Sequence, residues 1–352
     1  MSRTFKIAVM PGDGIGPEVT AQAIKVLKAL EPKFDVTFDF NEVLIGAIAI
    51  DQTGNPLPDE TIAACKASDA VLLGAVGHPR FDNDPGAKVR PEQGLLKIRK
   101  ELGLYANIRP VATYALLNEA SPIKTHLLKD VDMVVYRELT GGIYFGEKGR
   151  KDDGKTAYDN CIYTEEEVRR VAHLAFKMAR TRRKKLTLVD KANVLETSRL
   201  WREVVKKMEA EYADVTVDYM FVDSAAMKLV TWPAYFDVIL TENMFGDILT
   251  DEASVITGSI GLLPSASVGD TFALFEPIHG SYPQAAGKNI ANPYGTILSA
   301  AMLCDHIGLP EAAKAIRNAV DKGLENGIVT VDINASNNNS TSEVGDWIAK
   351  NL

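Results

Sequence analysis

Apolar residues in this chain come in short runs separated by longer amphipathic segments. Ile7-Ala8-Val9-Met10, Ala70-Val71-Leu72-Leu73, Met133-Val134-Val135-Tyr136, Leu186-Thr187-Leu188-Val189, Tyr219-Met220-Phe221-Val222 and Val238-Ile239-Leu240 each read as a buried strand. After the first run, Val19, Ala23, Val26 or Leu27, and Leu30 keep one apolar face at helical spacing, with Pro17 at the first helical position. Strands alternating with helices predict an α/β protein. Each strand ends in polar residues: Arg137, Asp190-Lys191, Asp223 and Thr241-Glu242-Asn243. In open α/β sheets ligands bind beyond the carboxyl ends of strands, so these positions are the first place to look for chemistry.

Three other segments stand out. The stretch from Gly74 to Pro91 is rich in Gly, Pro and Asp, and a long structureless run of this kind is usually a functional loop. Gly141-Gly142 and Gly146 punctuate an aromatic segment that reads as a projecting hairpin. Asn334 to Ser342, with Asn337-Asn338-Asn339, reads as a surface loop before a short final helix. No internal repeat is present.

The 352 residues correspond to about two domains. A net charge of −8 argues against a general binder of nucleic acid or anionic membrane. Cys65, Cys161 and Cys304 are odd in number and far apart, which excludes a disulfide framework and a cysteine zinc site. The N-terminus lacks an apolar signal core, so the expected location is cytoplasmic.

Gly12-x-Gly14-x-Gly16 follows a strand and precedes a helix, but its third glycine is one residue early for a dinucleotide fingerprint. It is either a phosphate cradle or a tight strand-to-helix turn. Asp247 and Asp251 are four apart, so a helix sets them on one face, where like charges repel unless a cation intervenes. With Asp223 they make an oxygen-only set suited to Mg²⁺ or Mn²⁺; the alternative is a solvated acidic face. Arg99, Arg109 and Arg137 are either forks for carboxylates or surface residues. Tyr144 and Lys191 are candidate proton-transfer groups. The basic run from Arg180 to Lys185 is expected to close a helix and complement its dipole.

Taken together, these segments resemble the β-decarboxylating 2-hydroxyacid dehydrogenases, the isocitrate/isopropylmalate family. The resemblance runs from Ile7 to about Leu309 and rests on Gly-Asp-Gly-Ile-Gly-Pro-Glu (12–18), Ala-Asn-Ile-Arg-Pro (106–110) and Arg-Glu-Leu-Thr-Gly-Gly-Ile-Tyr-Phe-Gly (137–146). Asp-Lys-Ala-Asn-Val-Leu (190–195), Asn-Met-Phe-Gly-Asp-Ile-Leu-Thr-Asp (243–251) and Gly-Leu-Leu-Pro-Ser-Ala (261–266) add to it, as do Glu-Pro-Ile-His-Gly-Ser (276–281) and Ile-Ala-Asn-Pro (290–293). The resemblance implies an isopropylmalate dehydrogenase-like two-domain α/β fold that is not Rossmann. A discontinuous cofactor-binding domain would span 1–101 and 253–352. The segment 102–252 would carry dimerisation, substrate and metal, in an interlocking homodimer with shared active sites.

The implied reaction is oxidative decarboxylation of 3-isopropylmalate with reduction of NAD, in leucine biosynthesis. Tartrate, D-malate and other alkylmalates are rival substrates, and a catalytically silent regulatory subunit is a rival of another class. By resemblance, Arg99, Arg109 and Arg137 bind the malate carboxylates and Tyr144 protonates the enol. Lys191 and Asp223 come from the partner, and Asp223, Asp247 and Asp251 hold the metal. Leu95 and Leu96, with Val194 opposite, present hydrocarbon where isocitrate relatives offer polar partners. Glu92 lies near the nicotinamide ribose, His279 and Asn292 contact the adenine, and Gly280, Ser281, Gln284 and Gly287 form the cofactor loop. Gln284 stands where many NAD-using members have Asp, so the charge that rejects NADP is absent and NAD is favoured with weaker discrimination.

Overall fold

The computed structural model describes residues 3–82, 87–118, 120–336 and 338–352. Part of the Gly74–Pro91 stretch (83–86) and Asn337 of the asparagine run lie outside the described residues. The strands are β1 (Arg3–Gly12), β2 (Val36–Glu42), β3 (Ala70–Ala75), β4 (Ala106–Ala112), β5 (Asp132–Glu138), β6 (Lys148–Lys151), β7 (Thr156–Asp159), β8 (Lys185–Asp190), β9 (Thr216–Phe221), β10 (Val238–Thr241), β11 (Pro264–Val268) and β12 (Ala273–Pro277). The fold is mixed α/β. The chain divides into two compact units, Met1–Leu104 with Ser259–Leu352, and Tyr105–Gly258. The sequence-expected cut after 252 would fall inside the helix Asn243–Ile256, whose hydrogen bonds keep it whole; the division comes just after the helix instead.

In the first unit the strands run in the order β2-β1-β3-β12-β11. β1 is parallel to β2 and β3, β3 is parallel to β12, and β11 returns antiparallel to β12. This is not the dinucleotide-fold order. Every residue of β3 is buried, as expected of a parallel strand covered on both faces, whereas β2 alternates buried and exposed residues at the sheet edge. The core beside β1 and β3 includes Met10, Ile45, Leu57, Leu73, Ile98 and Leu274. The helix Gly16–Phe34 begins one residue before the expected Pro17, which sits second in its first turn, and it buries Val19, Ala23, Val26, Leu27 and Leu30.

The second unit orders its strands β4-β5-β10-β8-β9, with β4 antiparallel to β5 and the others parallel. Phe236, Ile239, Leu249, Ala253 and Ile256 are among the side chains of its core. β6 and β7 form a separate two-stranded antiparallel hairpin. The expected hairpin is therefore real but starts later: the aromatic segment itself winds into a 3₁₀ turn, Gly142–Tyr144, and the hairpin begins at Lys148.

Two further expectations need correction, and a third is extended. Val222 opens the helix Val222–Thr231 and is not a strand residue. The Gly74–Pro91 stretch contains a helical turn, Pro79–Asp82. The basic run does close the helix Glu165–Thr181, with Arg180 in its last turn, and it also makes ion pairs that the sequence does not indicate. Arg182 reaches the fully buried Asp237 at 2.7 Å, and Arg180 reaches Asp214 at 2.7 Å. Among the described residues no helix is long and apolar enough to cross a membrane, and none of the three cysteines is in a disulfide.

Candidate active site

The pairing register of β4 and β5 builds the centre of the second unit. Asn107 lies opposite Arg137 and Arg109 opposite Val135, so the two arginines are diagonal neighbours on one face of the strand pair. The helix Asn243–Ile256 packs on β5 and presents Asp247 and Asp251 to them. Its start is set by Glu242, whose carboxylate accepts from the Phe245 N–H at 2.9 Å. Gly246 permits the close approach: a β-carbon there would stand 2.6 Å from Cγ of Arg137.

Both arginines are held by neutral and charged partners together. Arg109 donates from Nε to Asn107 Oδ1 at 2.8 Å and from Nη1 to Thr250 Oγ1 at 2.7 Å, with Asp251 Oδ1 at 3.3 Å. Arg137, whose side chain is 5% exposed, donates from Nε and Nη2 to Asn243 Oδ1 at 3.1 and 2.8 Å, and from Nη1 to Asp247. The cost of two like charges at i and i+4 is thus already offset by two guanidinium groups. That spacing alone therefore does not require a metal.

Tyr144, on the 3₁₀ turn, donates its hydroxyl to Asp247 Oδ2 at 2.9 Å, with the Arg137 guanidinium 5.9 Å from its ring centre. Partial burial, and then the Asp247 carboxylate, hold the Tyr144 hydroxyl above its ordinary pKa, so it stays protonated. Arg109, Arg137, Tyr144, Asp247 and Asp251 therefore form one cluster.

Lys191 and Asp223 form a second group. They leave the carboxyl ends of the neighbouring parallel strands β8 and β9, and the ammonium meets Asp223 Oδ1 at 2.6 Å. The Lys191 contact pulls the Asp223 carboxyl below its ordinary pKa. The three aspartates do not converge within one chain: among the described residues no three metal-ligating side chains come together. The reason is that Asp223 lies beyond β9, at the sheet edge, whereas Asp247 and Asp251 face β5 at the other side of β10.

In the first unit, a cavity of about 360 Å³ is lined by Ile15, Ile260, Ile290 and Val331 on its apolar side, and by His279, Asn292 and Asp332 among its polar groups. His279 donates from Nδ1 to the Gly280 carbonyl at 2.9 Å, while its buried Nε2 has no partner. Burial pushes the imidazole below its ordinary pKa, so it is neutral near pH 7. An apolar lining and one orphaned ring nitrogen suit a planar heteroaromatic base. Gly280 also lines this cavity; Ser281 is buried beside it in sequence, and Gln284 and Gly287 are exposed on the following loop.

The glycine turn acts on that loop and not as a phosphate cradle. A β-carbon at Gly14 (φ +59°) would stand 2.0 Å from the Ser281 carbonyl oxygen, which accepts from the Ile15 N–H at 2.8 Å. Asp13 of the turn reaches away from its own helix, to the start of the helix Ala47–Thr53 and to the segment after β3. Asp13 accepts from the backbone N–H groups of Ala47, Ile48 and Gly77 at 2.8, 3.0 and 2.9 Å. Glu18 in turn accepts from the Gly287 and Asn289 N–H groups.

The chain was compared with known proteins. A family model described as isocitrate/isopropylmalate dehydrogenase matches residues 6–348. The chain belongs to this family. Proteins named 3-isopropylmalate dehydrogenase are 54% identical over 346 residues in Bacteroides fragilis, covering 98% of each chain, and 53% identical over 357 residues in Clostridium acetobutylicum, covering 99% of this chain and 100% of that one. Isocitrate dehydrogenase from Methylococcus capsulatus superposes with a TM-score of 0.89 at 36% identity over 99% of both chains. A β-decarboxylating dehydrogenase from Thermococcus kodakarensis gives 0.81 at 39% identity, over 99% of this chain and 96% of that one.

Within this dehydrogenase-family framework, the other expected site residues are spread over both units. Arg99 belongs to the first unit, where Nη2 meets Glu276 Oε1 at 2.8 Å and the buried Nε has no partner. Glu92 is exposed in the first turn of the helix Pro91–Glu101. Leu95 on that helix is half-buried against the core, so it packs more than it projects, whereas Leu96 and Val194 are exposed. Asn107, Thr250, Glu276 and Asp332 contact the candidate site residues without being singled out in the sequence, and Asn243 is marked there only as a polar residue after a strand. Asn107 carried a usable signal, because i and i+2 of a strand share a face. Asn243 carried one too, one helical turn before Asp247. Glu276 and Asp332 gave none.

Proposed function

We propose that this chain catalyses the oxidative decarboxylation of 3-isopropylmalate with NAD as hydride acceptor, as a leucine-biosynthetic enzyme of the cytoplasm. The observation that carries this reading is the cluster of Arg109, Arg137, Tyr144, Asp247 and Asp251, in a chain more than half identical to full-length 3-isopropylmalate dehydrogenases. Arg99, Arg109 and Arg137 would take the substrate carboxylates. Leu96 and Val194, with Leu95 behind, would meet the isopropyl group, where an unpaired third carboxylate would be costly to bury.

An oxygen-only donor set suits a hard divalent cation such as Mg²⁺ or Mn²⁺. One chain supplies Asp247 and Asp251, and Asp223 of the partner subunit would complete the set. Such an ion lowers the pKa of the substrate hydroxyl and stabilises charge on the enolate oxygen. Lys191 of the partner subunit, held by its Asp223, would accept the hydroxyl proton as hydride leaves for the nicotinamide. The β-keto acid then loses CO₂, and Tyr144, kept protonated by burial and Asp247, delivers a proton to the enol carbon. The adenine would fill the cavity beside His279 and Asn292. Glu92 would approach the nicotinamide ribose, and Gly280, Ser281, Gln284 and Gly287 would contact the remainder.

A homodimer fits the exposed apolar side chains of Met227, Val230, Ile248 and Val255 on the helices Val222–Thr231 and Asn243–Ile256. The deciding assay follows NADH formation on 3-isopropylmalate, isocitrate, tartrate and D-malate, with and without chelator. The expected result is a strong preference for 3-isopropylmalate, abolished by chelation. Equal turnover of isocitrate, or activity indifferent to metal removal, refutes the proposal.

A further inference from the structure

Asn243 occupies a position that links the two halves of the second unit's cluster. It is 1% exposed, and three of its hydrogen-bonding groups point to different elements. Oδ1 accepts from both Nε and Nη2 of Arg137 on β5, and Nδ2 donates to the Gly141 carbonyl at 3.1 Å. Gly141 begins the turn that carries Tyr144, so one amide ties the arginine to the tyrosine. The backbone N–H of Asn243 donates to the Tyr163 hydroxyl at 3.0 Å, and that hydroxyl donates to Glu242 Oε2 at 3.1 Å. Tyr163 also packs under the turn: a β-carbon at Gly142 would stand 2.4 Å from its hydroxyl.

An amide oxygen orients a guanidinium without cancelling its charge. A carboxylate of the same shape would orient Arg137 equally well but neutralise it, and would set a second oxygen against the Gly141 carbonyl. We infer that Asn243 is a positioning residue for the reaction, fixing Arg137 and the Tyr144 turn together while leaving the arginine charged toward a substrate carboxylate. This inference rests on the proposed function.

The test uses Asn243→Asp and Asn243→Ala in the full-length enzyme, alone and with Arg137→Lys. Asn243→Asp keeps the size of the side chain but gives up the Gly141 bond and adds a charge beside Arg137, so a role confined to packing would leave its KM for 3-isopropylmalate unchanged. The expectation is a rise of at least about tenfold, with KM for NAD within about twofold of wild type. Because Asn243 acts through Arg137, Asn243→Ala should cost little more once Arg137 is lysine. An unchanged KM in Asn243→Asp, or additive losses in the double variant, overturns the inference. A wild-type enzyme inactive on 3-isopropylmalate refutes the proposed function instead. The inference is then judged by a crystal structure of Asn243→Ala: Arg137 displaced from Asp247 supports it, and Arg137 in place overturns it.

Discussion

Tyr144→Phe separates the chemical role of the tyrosine hydroxyl from any structural one. The substitution removes a single oxygen and leaves the ring beside Arg137. That oxygen makes one hydrogen bond, 2.9 Å to Asp247, on a residue 37% exposed. The net worth of such a bond is about 0.5–1.5 kcal/mol, at the lower end when water can replace the partner. In a unit of this size that shifts Tm by only about 2–4 °C. A positioned general acid contributes roughly 10²–10⁴ in rate, or about 3–5 kcal/mol of barrier. Activity and stability should therefore part company. The assay pairs thermal melts with steady-state turnover of 3-isopropylmalate and with reduction of a 2-oxo-acid analogue by NADH, which needs no enol protonation. The expected outcome is a loss of about 10²-fold or more in the full reaction, near-normal reduction of the analogue and an almost unchanged Tm. Because the folded protein raises the Tyr144 pKa, its stabilising share is present at neutral pH and is lost as pH climbs through the raised value. The donor thus stays protonated across the neutral range. Equal losses in both reactions, or activity within about threefold of wild type, would refute the assignment.

Other predictions follow from single contacts. Asp13→Ala strands two buried backbone N–H groups and one part-buried one and should cost roughly 2–4 kcal/mol in urea unfolding, with Asp13→Asn costing about half; a loss under about 1 kcal/mol would refute the internal-anion reading. Gly246→Ala would normally favour a helix, yet its β-carbon meets the buried Arg137 stem. It should raise KM for 3-isopropylmalate at least about tenfold, and an unchanged KM in steady-state assays counts against the Arg137 role. Asp223→Asn removes a carboxyl whose folded pKa is lowered by Lys191. Wild-type stability from this group is present above the unfolded carboxyl pKa near 3.9 and lost as pH falls through the depressed folded value, so the variant's Tm should change less between pH 5 and pH 2. Identical acid limbs in melting curves would show that the pair does not persist in solution.

The strand and helix positions were legible because each depends on local periodicity. β3 reads as an unbroken apolar run since parallel strands are buried on both faces, and Val19 to Leu30 reads as a helix since 3.6 residues per turn return the same face to the core. The antiparallel strands β11 and β12 escaped notice: Pro264-Ser265-Ala266-Ser267-Val268 has little β-forming character, and only its pairing with β12 makes it a strand. The helix with Asp247 and Asp251 on one face was likewise legible, but the offset to their repulsion was not. It comes from Arg109 and Arg137, 142 and 110 residues away in the chain, through the register of β4 and β5.

What the sequence determined by itself was the identity and local presentation of the reactive groups: the glycine turn, the aspartates a helical turn apart, the arginines and Tyr144. Tertiary structure decided what each group faces. It set the Asp13 carboxylate as an internal anion that accepts from three backbone N–H groups, and sent Glu18 to a loop some 270 residues distant. It separated Asp223 from the other two aspartates and gave Arg137 to Asn243. The physical reason is that periodicity records only which side of a segment is buried. Partners across strands depend on sheet order and register, and those are set by the packing of the whole unit.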